Sequence, residues 1–208
     1  ILLNTLINSL LILKKSVIIY GSYIDPAKSE LMAQHQKQVY DLGVELGKAG
    51  FDIVTGGGIG MMGAACNGAK DANPDIKCIG VDLDWGDYPS FSCKRLDEKI
   101  LFPKGDFVSR LSTMKEKSAY QIVCPGGKGT LRELFEAWEE LAMNYEKQPR
   151  HRKIILFPAT YWQPVYDWIK SSCQANGYIF DRDIDILALA QTPQEVLDLM
   201  QDKTVIEK

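Results

Sequence analysis

Cys124-Pro125-Gly126-Gly127-Lys128-Gly129-Thr130-Leu131-Arg132-Glu133 joins an apolar, β-branched run to a helical pattern through a glycine-rich turn. Glycine lets a backbone approach a ligand closely, and a helix N-terminus presents free N–H groups carrying roughly half a positive charge. Such a junction binds phosphate. Gly126, Gly127, Lys128, Gly129 and Thr130 are therefore candidate phosphate ligands, with the Thr130 hydroxyl as an added donor. Glu133 puts a carboxylate within reach of whatever carries the phosphate. A phosphate cradle with its own carboxylate suggests chemistry on a sugar phosphate or nucleotide.

Two more glycine-bearing turns follow strand patterns, Gly21-Ser22 and Thr55 to Gly63. Ligands of open parallel sheets bind beyond the carboxyl ends of the strands, so these turns can converge on one crevice. Gly21, Ser22, Gly57, Gly58 and Met62 join the candidate binding residues on that ground. Gly58-Ile-Gly-Met-Met-Gly63, with Asp82 beyond it, formally fits a dinucleotide fingerprint, but it follows the second strand and not the first. A triphosphate P-loop needs Lys followed directly by Ser or Thr, and Lys128 is followed by Gly129.

The elements that must position these turns are read from periodicity. Short β-branched runs at 16–20, 51–54, 76–82, 121–124 and 154–157 alternate with helical patterns at 31–49, 107–118, 131–144, 162–175 and 193–200. A further helix opens after Gly63, and a short extended piece lies at 100–102. Alternation of this kind predicts an α/β fold, a Rossmann-like doubly wound parallel sheet flanked by helices. No linker or repeat interrupts it, so one domain over 1–208 is expected, led by an amphipathic helix within 1–14.

The 208 residues are 46% apolar and 25% charged with a net charge of −3, which argues against a nucleic-acid partner and for a small-molecule ligand. The N-terminal apolar stretch is too short to cross a bilayer. Five cysteines, an odd number without a C-x-x-C pair, fit reduced thiols in a cytoplasmic protein. His35 and His151 lack neighbours at ligand spacing, so no metal is expected, and no cofactor.

Pro125-Gly-Gly-x-Gly-Thr130-x-x-Glu133 together with Gly56-Gly-Gly-x-Gly60 resembles the LOG family of phosphoribohydrolases, historically labelled lysine decarboxylases. In that family an arginine about fifteen residues before the motif proline works with the motif glutamate. The resemblance implies Arg110 and Glu133 as the catalytic pair. It also implies a nucleotide substrate and a homodimer or larger homo-oligomer. Cytokinin-activating members carry Met-His-x-Arg-Lys where this chain reads Phe107-Val-Ser-Arg-Leu111, a form more similar to bacterial nucleotide 5′-monophosphate nucleosidases. The expected reaction is cleavage of the base–sugar bond of AMP or a related purine nucleotide. A nucleotide-binding or carrier protein without turnover is the alternative. The aromatics Trp138, Tyr145 and Trp162 fit either a subunit interface or the core.

Overall fold

The computed structural model describes residues 15–24, 29–86, 92–118, 120–144 and 153–201, so the expected N-terminal helix and Tyr145 lie outside the described residues. β1, Ser16–Tyr20, is buried along its whole length. Its alternate side chains feed two cores, Val17 and Ile19 on one face of the sheet and Ile18 and Tyr20 on the other. A strand covered on both faces has no polar side to show, which is why Ser-Val-Ile-Ile-Tyr reads as a continuous run and not as an alternation.

β1 pairs in parallel with β2 (Asp52–Thr55) and with β5 (Tyr120–Val123), Ile18 standing opposite both Val54 and Gln121. Outward from β2 lie β3 (Cys78–Leu83) and β4 (Glu98–Phe102); outward from β5 lie β6 (Ile154–Leu156) and β7 (Leu187–Leu189). Among the described residues the seven strands stand in the order β4-β3-β2-β1-β5-β6-β7, every pairing between them parallel. The chain winds away from β1 in both directions, so this is the doubly wound α/β sheet. The winding reverses between β1 and β5, and ligands of such sheets bind at that point.

One face carries α1 (Glu30–Lys48), α2 (Met61–Ala72) and α7 (Pro193–Gln201). α1 starts at Ser29, whose hydroxyl accepts from the Met32 N–H. It presses against α2 through Gly43 and Gly47, where a Cβ would overlap the carbonyls of Ala65 and Ala69. The other face carries α3 (Phe107–Glu116), α4 (Lys128–Met143), α5 (Ala159–Trp168, continued by a π-helical stretch Ile169–Gln174) and α6 (Asp181–Ile184).

One boundary and two elements differ from the sequence reading in ways that matter. α4 begins at Lys128, three residues before the expected 131, because the backbone turns helical as soon as Gly127 has made its extended turn (φ −99°, ψ −147°). Glu133 therefore lies in the second helical turn. α6 and β7 follow Phe180 in a stretch with no long apolar period, so periodicity does not predict them. Trp162 is 1% exposed and belongs to the core, while Trp138 donates its indole N–H to the Asp183 carbonyl at 2.7 Å.

Candidate active site

The glycine turns after β1, β2 and β5 meet above the sheet and are bonded to one another. The Ser22 N–H donates to the Pro125 carbonyl at 3.0 Å across the β1–β5 switch point, and the Met61 N–H donates to the Ser22 carbonyl at 2.9 Å. Gly21 leaves no room for a side chain, since a Cβ there would stand 2.8 Å from that of Met61. Gly60, at φ +68°, takes a left-handed turn that brings its Cα against the Ser22 carbonyl.

These contacts also show which donors are already used. The Ser22 N–H is committed to Pro125, and the Gly57 N–H donates to Thr55 Oγ1 at 3.0 Å. Ser22 Oγ accepts from the Ile24 N–H at 3.1 Å, leaving its hydroxyl hydrogen as the donor on that side. The Gly57 carbonyl accepts from the Cys93 N–H at 2.8 Å, and Gly58 bridges Ser92, so residues 92–93 brace the second turn. By contrast, Gly127 caps α4 without any side-chain bond, and the first N–H groups of a helix have no intrahelical acceptor. Gly127, Lys128 and Gly129 are exposed, whereas Thr130 is buried with its hydroxyl turned against Gly126.

Arg110, on α3, and Glu133, on α4, come together beside this cradle. Arg110 Nη1 donates to Glu133 Oε1 at 2.9 Å, and Arg110 Nε donates to the Val81 carbonyl at 2.8 Å. Their side chains are only 12% and 15% exposed. The two helices are clamped along their length: Arg132 lies over the Phe107 ring, 4.2 Å from its centroid, and Lys115 pairs with Glu140. Burial pushes the Glu133 carboxyl above its ordinary range, and the Arg110 charge and hydrogen bond oppose that rise. Beneath the pair, the buried Tyr20 hydroxyl donates to Gln121 Oε1 at 3.0 Å, its acidity weakened by burial and then by the Glu133 charge.

The family described as "Possible lysine decarboxylase" matches residues 62–200, a span holding Arg110, the Pro125 turn and Glu133. A rice (Oryza sativa subsp. japonica) protein named probable cytokinin riboside 5′-monophosphate phosphoribohydrolase is 30% identical over 166 residues, covering 78% of this chain and 74% of the rice protein. The chain belongs to the LOG family. A Mycobacterium tuberculosis protein named cytokinin riboside 5′-monophosphate phosphoribohydrolase is 26% identical over 165 residues, covering 77% of this chain and 84% of its own. The solved structure of the molybdenum cofactor binding protein of Rippkaea orientalis superposes with a TM-score of 0.62 at 20% identity, over 94% of this chain and 99% of that one. At that identity the likeness is one of fold.

Several features of this LOG family member escape its spacing. Gly56 looks like one of a run of turn glycines, yet a Cβ on it would overlap Arg110 Nη2 and stand 3.0 Å from Met62 Sδ. Its lack of a side chain is what admits the guanidinium. Leu111, the residue after Arg110, is 2% exposed and packs in the core. Asp82, the acid of the dinucleotide alternative, faces Lys99 Nζ at 3.5 Å and accepts from the Leu83 N–H at 2.8 Å. Tyr161 touches the phosphate-type turn from 35 residues further along the chain, and no motif announces it.

Proposed function

We propose that the chain is a phosphoribohydrolase that cleaves the N-glycosidic bond of a nucleoside 5′-monophosphate, AMP or a related purine nucleotide, to free base and ribose 5-phosphate. The observation that carries this reading is the largely buried Arg110–Glu133 pair at 2.9 Å, set beside the N-terminus of α4, which no side chain caps. Cleavage of a glycosidic bond passes through an oxocarbenium-like state. Glu133 is the carboxylate that stabilises the positive charge developing at the anomeric carbon and takes a proton from the attacking water. Water's oxygen ends on the anomeric carbon, and the departing base nitrogen takes up a proton.

Arg110 favours the ionised form of Glu133 against its burial and fixes its direction. The N–H groups at Gly127, Lys128 and Gly129 seat the phosphate, Ser22 Oγ and the Gly57-Gly58 turn wall it, Gly21 and Gly126 let the turns close, and Met62 packs beside the guanidinium. Thr130 braces the loop from inside. The phosphate, remote from the reacting carbon, contributes binding that orients it. We assign the protein to the cytoplasm and to a homodimer or larger homo-oligomer, which a mass measurement in solution tests.

The deciding experiment incubates the protein with nucleoside mono-, di- and triphosphates and resolves the products by chromatography. Base plus ribose 5-phosphate from a monophosphate supports the assignment; none from any monophosphate overturns it. Tight nucleotide binding by calorimetry with no product selects the second reading, a nucleotide-binding or carrier protein.

A further inference from the structure

Tyr161 stands in the first turn of α5 and donates its hydroxyl to the Gly126 carbonyl at 2.7 Å. Its ring is held edge-on by His35 of α1, with centroids 5.3 Å apart at 83°, and by Trp162, 5.0 Å at 82°. Burial lowers the His35 pKa, which favours the neutral imidazole in this support. The two carbonyls flanking Gly126 are also held: Pro125 accepts from the Ser22 N–H and Gly127 from the Leu131 N–H at 2.9 Å.

The peptide between Gly126 and Gly127 is trans, so its C=O and N–H point to opposite sides of the chain. Fixing the Gly126 oxygen therefore fixes the direction of the Gly127 N–H. A glycine pair has no side chain to hold that plane against rotation. We propose that Tyr161 is the positioning residue of the phosphate seat, locking the Gly126–Gly127 peptide plane so that the Gly127 N–H faces a phosphate monoester dianion. The assignment rests on reading the Pro125 to Thr130 turn as the phosphate site; it does not require that the bound molecule be cleaved.

Tyr161→Phe removes the hydroxyl and keeps the ring against His35 and Trp162, so the fold is retained. Binding of ribose 5-phosphate by calorimetry should weaken about tenfold, the loss of one well-formed hydrogen bond acting on one donor. With a nucleotide 5′-monophosphate the loss should appear chiefly in KM, with a smaller fall in kcat, because the seated phosphate also helps to orient the sugar. The Gly127 amide resonance, shifted by ribose 5-phosphate in the parent protein, should shift less in the variant.

Unchanged ribose 5-phosphate affinity together with an unchanged Gly127 response overturns the proposal, as does a fall in kcat at constant KM. Failure of the parent to bind ribose 5-phosphate also overturns it. A protein that binds ribose 5-phosphate through Tyr161 but releases no base retains the positioning role and loses the hydrolase reading, which keeps the two failures apart.

Discussion

Arg110 and Glu133, 23 residues apart in sequence and on different helices, meet through a 2.9 Å bond between Nη1 and Oε1 in a site where each side chain is less than one-sixth exposed. A largely buried ion pair of this kind costs desolvation on both sides and is weak evidence for stability. Its retention beside an uncapped helix N-terminus makes sense as function. Glu133→Gln keeps the size and one acceptor while removing the charge that stabilises an oxocarbenium state. We expect kcat on a nucleoside monophosphate to fall at least about 10²-fold with substrate affinity largely kept, read by steady-state kinetics beside calorimetric binding. Full activity in this variant would end the assignment of Glu133 as the reacting carboxylate.

The pH profile tests the same residue differently. Glu133 works as its anion, so activity falls as pH drops through its pKa. Because burial raises that pKa, the acid limb of kcat/KM should lie above the ordinary glutamate range of about 4.3. Arg110 opposes the rise, so in Arg110→Gln the limb of the residual activity should move to higher pH. Stability runs in the matching sense. A folded-state pKa above the unfolded one means the folded protein holds the proton more tightly. The charge on Glu133 therefore costs stability at high pH, and the cost is relieved as pH falls through the folded pKa toward the unfolded one. Thermal melts of parent and Glu133→Gln across pH 4 to 8 should show that dependence only in the parent. An acid limb that moves to lower pH on removing Arg110 would contradict this account.

Gly56 makes a sharper prediction than its place in a glycine run suggests. Alanine at this site collides with the far end of the Arg110 side chain and crowds Met62 Sδ, both of which can shift, so the fold should survive. The guanidinium would be pushed off its bond to Glu133. Displacement of about 1 Å at a reacting centre is worth on the order of 10² in rate. Gly56→Ala should thus lose activity out of proportion to any change in Tm, measured by kinetics and melting on the same sample; parent-like kcat/KM would show that the arginine tolerates the intrusion.

The sheet was legible in the sequence because its inner strands are buried on both faces, and such strands are short β-branched runs whatever their neighbours. The phosphate-type turn was legible because glycine spacing at a strand–helix junction leaves few alternatives. Arg110 was visible only through resemblance, since on α3 it reads as one more basic residue. The role of Gly56 depends on a side chain 54 positions later, and that of Tyr161 on a carbonyl 35 positions earlier, so no local pattern encodes either. β7 was missed because a three-residue edge strand, Leu-Ala-Leu, is too short to show a period.

The separation of the phosphate seat from the Arg110–Glu133 pair leads to a last expectation. If the Gly127 to Gly129 donors act by holding the phosphate while Glu133 acts at the anomeric carbon, then the binding energy of the phosphate is used to orient the sugar and not merely to retain the nucleotide. Removing the phosphate should then lower turnover as well as affinity: adenosine should react at least about 10³-fold more slowly than AMP in kcat/KM, with part of the loss in kcat. Inorganic phosphite, a small dianion that fits the vacated seat, should restore a measurable fraction of the adenosine rate when added in trans, and it should fail to do so in Glu133→Gln. Adenosine cleaved with the same kcat as AMP would mean the turn only tethers its ligand, and that orientation comes from contacts to the base or ribose.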